Sequence, residues 1–134
     1  IGELKLIRMN PLPSPNPKAI LVVDDNVVNR KLAVALLKRR SMLVDEADGG
    51  GVALEMLKVG SFEAVLLDIS MPGLSGEDTC VRLRALQGEN PMRIIAYTAH
   101  AYPEEREKFL AVGFDDILVK PINRLQLESM IADL

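Results

Sequence analysis

The sequence predicts a doubly wound α/β fold, in which a five-stranded parallel sheet lies between two layers of helices. Short apolar runs alternate with amphipathic stretches along the chain, and strict alternation of strands and helices is typical of a parallel sheet. Only 4% of the residues are aromatic and Trp is absent, so the core must be largely aliphatic. Such a core suits parallel strands that are buried on both faces. The 134 residues are enough for one domain of this kind.

The start of the chain differs in composition from the rest. Four prolines alternate with other residues between positions 11 and 17, which favours an extended backbone and opposes helix formation. We interpret residues 1–17 as a proline-rich linker, or as residues added ahead of the domain, and residues 18–134 as the domain itself. The chain begins with Ile rather than Met, which favours excision from a longer polypeptide.

Five apolar runs predict the strands. Each is short, and four of them are followed by a polar or charged residue that is a candidate for function. The third run is almost purely apolar, which indicates a strand that is buried on both faces. The predicted strands are residues 19–23, 42–47, 64–67, 93–97 and 117–119.

Five stretches between and after these runs predict helices. The first helix places Leu32, Leu36 and Leu37 on one face, and either Asp25 or Asn26 is expected to cap its N-terminus. Glycines end the second and fourth helices, and a proline occupies the first turn of the fourth. The predicted helices are residues 27–40, 52–59, 77–86 and 103–112, with a fifth beginning near Asn123.

Composition excludes several classes of function. The net charge of −3 provides no basic field for nucleic acid, and residues 38–40 are best interpreted as the basic end of a helix. The single cysteine, Cys80, excludes an internal disulfide and a metal site with several cysteines. No apolar run approaches the roughly 18 residues that a membrane span needs, and the N-terminus lacks a secretory signal pattern. We therefore expect a cytoplasmic location without membrane contact.

Polar residues follow the apolar runs at the ends that a parallel sheet brings to one edge. They are Asp24 and Asp25 after strand one, Asp68 after strand three, Thr98 after strand four and Lys120 after strand five. Each pair of carboxylates about 4 Å apart repels by roughly 4 kcal/mol at an effective dielectric near 20, so a cation is expected among them. Oxygen ligands without His or Cys favour Mg²⁺. A carboxylate nucleophile, a metal, a lysine and a hydroxyl are together what phosphoryl transfer requires.

Four blocks of sequence now carry a specific resemblance. They are LVVDDN at residues 21–26, LLDISMPG at 66–73, YTAH at 97–100 and LVKP at 118–121. In this order and spacing they resemble the receiver domains of response regulators in bacterial two-component systems, over residues 18–134. The resemblance implies a flavodoxin-like sheet with the strand order 2-1-3-4-5.

The resemblance also implies roles for individual residues in holding the metal. Asp25 is expected to bind Mg²⁺ directly, and Asp24 mainly through a coordinated water. Asp68 and the backbone carbonyl of Ser70 complete the expected protein ligands.

The phosphoryl group receives its own set of residues from the same resemblance. Asp68 is the expected phosphoacceptor, Thr98 hydrogen-bonds the phosphoryl group and Lys120 pairs with it. The peptide bond before Pro121 is expected to be cis, as in the family.

Two features depart from the family pattern or vary within it. The family usually has Tyr or Phe three residues before the lysine, where this chain has Ile117, so switching by an inward-turning ring is not expected here. Ser70 and His100 occupy positions that tune the hydrolysis of the phosphoryl group in the family.

Three classes of function remain open from the sequence. In the first, a histidine kinase or a histidine phosphotransfer domain donates its phosphoryl group to Asp68, and the domain catalyses only its own phosphorylation and dephosphorylation. The second is a docking module that is never phosphorylated, for which Ile117 leaves room. The third is a turnover enzyme, which is disfavoured because residues 68–70 lack a second acid and no glycine-rich phosphate loop follows strand one.

The resemblance extends to the context of the domain. The pattern around Asn26, Asn29 and Arg30 is most like receivers of hybrid sensor histidine kinases, and a free-standing regulator is the alternative. In the family, the fourth helix, fifth strand and fifth helix (here about residues 103–134) form the usual output face, which is also the candidate interface for a weak homodimer.

Overall fold

A computed structural model describes residues 18–89, 91–132 and 134. Within these residues, strands and helices alternate without exception. The strands are β1 (Ala19–Val23), β2 (Leu43–Ala47), β3 (Ala64–Asp68), β4 (Arg93–Thr98) and β5 (Asp116–Val119). The helices are α1 (Val27–Lys38), α2 (Gly50–Val59), α3 (Gly76–Leu86), α4 (Pro103–Val112) and α5 (Arg124–Ala132). The predicted linker, residues 1–17, lies outside the described residues.

The five strands form one parallel sheet in the order β2-β1-β3-β4-β5, which confirms the predicted fold class and strand order. Val23 pairs with Leu67, Asp68 with Tyr97, and Thr98 with Val119. The carboxyl ends of the strands therefore end at nearly the same level, and the residues that follow them share one edge of the sheet.

Two apolar clusters cover the two faces of the sheet. One contains buried side chains of α2, α3 and α4, and the other contains those of α1 and α5. Every residue of β3 is buried, as predicted for a strand covered on both faces. Because β3 lies at the centre of the sheet, its last residue, Asp68, is held between neighbours on both sides.

The first helix differs from its prediction in the face that it buries. Ala33, Val34 and Leu37 are buried, whereas Leu32 is 46% exposed, so of the three leucines predicted to share a face only Leu37 is buried. Leu36 is only partly buried. The stripe that meets the sheet is thus rotated relative to the leucines, because helix orientation follows the packing against β1 and β2.

The ends of several elements shift by one or two residues. Asn26 is the N-cap of α1 and accepts a hydrogen bond from the backbone N–H of Asn29. The helix ends at Lys38 rather than at residue 40, and Ser41 in the following turn has a positive φ of 60°. Asp68 and Thr98 are the last residues of their strands rather than the first residues after them. None of the helices in the described parts of the chain combines the length and apolar character that a membrane span requires.

Candidate functional site

Three carboxylates lie together at the carboxyl edge of the sheet. Asp24 and Asp25 follow β1, and Asp68 ends the neighbouring strand β3. One oxygen from each of the three lies within 4.8 Å of the others. Asp24 and Asp68 are buried, whereas Asp25 is exposed. The cluster therefore combines two buried carboxylates with one that is open to solvent.

Lys120 brings a positive charge to this cluster from the far end of the sheet. It follows β5, and its Nζ lies 2.9 Å from Oδ1 of Asp68 and 3.5 Å from Oδ2 of Asp24. The backbone N–H of Lys120 donates to the carbonyl of Thr98 at 2.7 Å, which extends the pairing of β4 and β5 by one step. The Lys120–Pro121 peptide bond is cis.

Asp24 has one oxygen that is satisfied and one that is not. Oδ1 accepts a hydrogen bond of 2.8 Å from the backbone N–H of Asn26. Oδ2 is buried and accepts no hydrogen bond from any residue that the structure describes. A buried carboxylate oxygen without a hydrogen-bond donor is costly, and a bound cation removes this cost.

The environment of Asp68 disfavours its charged form. The pKa of Asp68 is raised to about 6, mainly by burial; the hydrogen bond from Lys120 lowers it, and the charge of Asp24 raises it. The backbone N–H of Ser70 also donates to Oδ1, at 3.3 Å. One lysine is thus not enough to offset two buried acids, and the site is short of positive charge.

Thr98 and the residues that follow it lie at the end of β4, the strand next to the one that Asp68 ends. Thr98 is buried at the end of β4, next to β3, and its Oγ1 accepts a hydrogen bond from the backbone N–H of His100 at 3.2 Å. Ser70 and His100 are exposed, and the rings of His100 and Tyr102 stack with centroids 5.9 Å apart. The hydroxyl hydrogen of Thr98 stays available for a further acceptor, since the backbone contact uses only an oxygen lone pair.

Three other residues shape the site and were not identified from the sequence. Arg30 donates to the backbone carbonyl of Asp24 at 2.7 Å and pairs with Glu46 at 3.0 Å. The hydrogen bond from Lys31 holds the pKa of Glu46 below its usual value, with Arg30 contributing. Besides Arg30, the residues not identified from the sequence are Tyr97, whose ring lies beneath Lys120, and Gly76, which packs against the backbone of Asp68.

The donor set matches a hard divalent cation. The groups that converge are carboxylate oxygens, with no His or Cys among the three clustered residues, and oxygen ligands are those that Mg²⁺ prefers. Oδ2 of Asp24 accepts no hydrogen bond within the described part of the chain, and the raised pKa of Asp68 shows that its charge is only partly offset by Lys120; both favour a cation at this edge. The residues present therefore fit a metal ion.

A doubly wound sheet with an acidic cluster and a lysine at its carboxyl edge is the arrangement that the resemblance of the four sequence blocks implied. The family model described as the response regulator receiver domain matches residues 20–132, and the chain belongs to this family. The protein is thus a receiver domain of a two-component system, as its four sequence blocks predicted. This family is one of signalling domains rather than of turnover enzymes, which removes support from the third class of function.

Comparison with known proteins supports this assignment. The chain is 36% identical over 124 residues to the sensor protein GacS of Pseudomonas syringae pv. syringae, covering 90% of this chain and 14% of GacS. The chain thus spans only a small part of this curated relative. This similarity agrees with the predicted likeness to receivers within sensor kinases.

Two solved structures share the fold. The receiver domain of the sensor histidine kinase PA1611 from Pseudomonas aeruginosa PAO1, solved with a magnesium ion in its active-site cleft, has a TM-score of 0.79. It is 30% identical, and the match covers 88% of this chain and 97% of that chain. A chain in the co-crystal structure of Ypd1 and the Ssk1 receiver domain from Saccharomyces cerevisiae has a TM-score of 0.82 at 26% identity, covering 92% of this chain and 90% of that chain.

Proposed function

We propose that Asp68 accepts a phosphoryl group from phosphohistidine. The observation that carries this proposal is the contact of 2.9 Å between Lys120 Nζ and a buried carboxylate that is also crowded by a second acid. In the reaction, a carboxylate oxygen of Asp68 forms the new P–O bond while the P–N bond of the phosphohistidine breaks. The electron pair of that bond stays with the imidazole, which leaves as a neutral ring after taking up a proton.

The chain's own residues have separate tasks in this reaction. Lys120 neutralises charge on the phosphoryl oxygens, because its ammonium already lies beside the attacking carboxylate. Thr98 donates its hydroxyl hydrogen to a phosphoryl oxygen, since its own oxygen is already held by the N–H of His100. Both groups are at the ends of strands, so little reorganisation is needed when the phosphoryl group arrives.

Asp24, Asp25, Asp68 and the backbone carbonyl of Ser70 are the proposed protein ligands of Mg²⁺. The clustered oxygens, and Oδ2 of Asp24, which accepts no hydrogen bond among the described residues, support this assignment. When bound, the ion supplies positive charge to the phosphoryl oxygens.

Mg²⁺ is therefore expected to stabilise the protein against unfolding. At a concentration ten times the dissociation constant, a ligand that binds only the folded state adds about 1.4 kcal/mol to the free energy of unfolding. Thermal unfolding with and without MgCl₂ measures the effect, and EDTA should reverse it. Asp45→Asn, which changes an exposed acid on β2, should respond like the wild type, whereas Asp25→Asn should lose most of the response. An equal response of these two variants would contradict the ligand assignment.

The proposed donor is a histidine kinase or a histidine phosphotransfer domain. The similarity to GacS and to a receiver solved with the histidine phosphotransfer protein Ypd1 supports this class of partner. We propose that residues 18–134 are a cytoplasmic receiver domain joined through residues 1–17 to a sensor kinase. Such a domain transfers the phosphoryl group to itself and hydrolyses it, and it needs no other catalytic activity.

The proposed output face consists of α4, β5 and α5. Ile117 of β5 is buried in the apolar cluster with Phe109 and Phe114. Because its side chain is aliphatic, it has no ring that could turn between two positions. We therefore propose that Thr98 and the backbone that follows it carry the signal to this face. A weak homodimer through the same face belongs to the proposal, and sedimentation of the phosphorylated chain tests it.

Mapping the phosphorylated residue tests the function directly. The chain is incubated with acetyl phosphate and Mg²⁺, and the acyl phosphate is then reduced with borohydride, which converts the modified aspartate to homoserine. We expect one phosphoryl group per chain by mass spectrometry and homoserine at position 68 alone. Homoserine at another position would refute the assignment of Asp68. No modification under any condition would favour the docking module that is never phosphorylated.

A further inference from the structure

The ammonium of Lys120 lies over the face of a buried aromatic ring. Its Nζ is 4.8 Å from the ring centroid of Tyr97, and Tyr97 is only 1% exposed. A cation at this distance from a ring face is attracted by the negative charge density of the ring, and the attraction is strongest where water is excluded. The ring is thus a third contact of the ammonium, beside the carboxylates of Asp24 and Asp68.

The sheet fixes the backbone of Tyr97 relative to the groups on both sides. In the strand register, Tyr97 pairs with Asp68 on β3 and with Leu118 on β5. Its carbonyl also accepts the N–H of Ile69 at 3.1 Å. β4, which carries the ring, therefore lies between β3, which ends at Asp68, and β5, which Lys120 follows.

The lysine itself is far less constrained than the ring. Its side chain is 20% exposed, and a lysine stem carries much rotamer freedom that must be lost when the ammonium is held in one place. The two carboxylates hold Nζ unequally, at 2.9 and 3.5 Å. Carboxylate oxygens that bind a cation have less charge to share with Lys120, whereas the contact with the ring does not depend on them.

The ring keeps its electronic character at physiological pH. The pKa of Tyr97 is raised to about 12, mainly by burial and also by the charges of Asp24 and Asp68, while a hydrogen bond with the backbone of Ile122 lowers it. The side chain is therefore a neutral phenol, held at its hydroxyl end by the loop after β5. Ile122 belongs to this loop and lies two residues after Lys120.

We propose that Tyr97 is a positioning residue, whose ring holds the ammonium of Lys120 beside Asp68 for phosphoryl transfer. The proposal rests on the proposed function of Asp68 and Lys120 and assigns Tyr97 a role in it. An ordinary core residue at this place would fill the same volume. A ring is needed only if the contact with the cation matters.

Two variants separate the ring from its volume and its hydroxyl. Tyr97→Phe keeps the ring, and Tyr97→Leu keeps apolar bulk without a ring. We expect Tyr97→Phe to be labelled by acetyl phosphate at close to the wild-type rate, and Tyr97→Leu to be slowed on the order of 3- to 10-fold. Ile95→Ala is the matched control, because Ile95 is buried on the same face of β4 and is not one of the site residues. It should lower stability and leave the labelling rate of the folded protein unchanged.

Nuclear magnetic resonance provides a readout that a merely structural role would not produce. The ring current of Tyr97 should shift the ε-methylene protons of Lys120 upfield in the wild type and in Tyr97→Phe, and this shift should vanish in Tyr97→Leu. If Tyr97→Leu fails to fold, Tyr97→Met replaces it in both measurements.

The outcomes distinguish this proposal from the function on which it rests. Wild-type labelling kinetics in a folded Tyr97→Leu would overturn the role of Tyr97 and leave that of Asp68 intact. Equal slowing of Tyr97→Leu and Ile95→Ala would also overturn it, because the effect would then come from lost packing. Absence of labelling in the wild type would refute the proposed function, while the shift of the Lys120 protons would still show whether the contact exists.

Discussion

Asp68→Asn is expected to abolish labelling of the protein by acetyl phosphate, with a loss of at least about 100-fold in rate. The amide that replaces the carboxylate is a poor nucleophile, while its size and position are nearly unchanged. Asp24 is also buried beside Lys120, but its Oδ1 accepts a hydrogen bond from the backbone N–H of Asn26. Its Oδ2 lies 3.5 Å from Lys120 Nζ, farther than Oδ1 of Asp68 does. The neighbouring acid is thus not expected to substitute for Asp68. Intact-mass spectrometry during incubation with acetyl phosphate and Mg²⁺ measures the rate.

Asp45→Asn is the matched control for this experiment. It makes the same chemical change at an exposed position on β2, away from the strand ends, and should be labelled like the wild type. Residual labelling of Asp68→Asn at Asp24 or Asp25 would mean that the cluster, rather than one carboxylate, is the acceptor. Undiminished labelling would contradict the assignment of the nucleophile.

Asp68→Asn should also be more stable than the wild type when divalent ions are removed. Burial and the charge of Asp24 raise the pKa of Asp68 to about 6, above its ordinary value of 3.8, so the folded state binds a proton more readily than the unfolded state. Wild-type stability should consequently fall as the pH rises from about 4 through 6. We expect Asp68→Asn to gain on the order of 1–2 kcal/mol at pH 7 in EDTA. This gain should shrink toward pH 4, as urea unfolding at several pH values can measure.

Much of the site follows from the sequence because a parallel sheet has a simple geometry. Asp24, Asp68, Thr98 and Lys120 come at or after the ends of apolar runs, and all parallel strands end at the same edge. Their proximity therefore needs only the correct identification of strands. Errors of one or two residues in the ends of helices leave this argument unaffected, as the shifted end of α1 illustrates.

Contacts between side chains of different elements could not be predicted in the same way. The hydrogen bond from Arg30 to the carbonyl of Asp24 depends on the orientation of α1 on the sheet. The exposure of Leu32 shows that the spacing of the leucines does not predict this orientation. The ring of Tyr97 beneath Lys120 depends on the register between β4 and β5, which periodicity does not contain. An aromatic residue directly before Thr98 was the available signal for this contact.

Close approaches at glycines could not be predicted either. The second helix was predicted to begin at residue 52, whereas α2 begins at Gly50. A Cβ atom at Gly50 would lie 2.1 Å from Oγ1 of Thr79, so this residue allows α2 to approach α3 closely. Gly51, the next residue, has open space around it. Only the packing of the two helices distinguishes these neighbours.

A close approach to backbone atoms lies directly behind Asp68, the proposed phosphoacceptor, and predicts a large effect for Gly76→Ala. A Cβ atom at Gly76 would lie 2.3 Å from the backbone oxygen of Asp68 and 2.7 Å from Cα of Ile69. Neither is the end of a flexible side chain, so the backbone at the end of β3 or the start of α3 must move. The N–H of Gly76 also donates to the carbonyl of Ile69 at 3.2 Å, which ties the two segments together. We expect a loss of about 2–4 kcal/mol in the free energy of unfolding.

Gly51→Ala isolates the steric cause, because it makes the same substitution in a helix where the new methyl group meets nothing within 4 Å. It should be neutral or gain up to about 1 kcal/mol from the higher helix propensity of Ala. Urea unfolding of both variants measures the difference, and acetyl phosphate labelling of the folded Gly76→Ala should be slowed, since Asp68 and the carbonyl of Ser70 lie on the backbone that is displaced. If Gly76→Ala were as stable and as rapidly labelled as Gly51→Ala, the turn between β3 and α3 would have room to widen without cost. The position of Asp68 would then be set by its neighbours in the sheet alone.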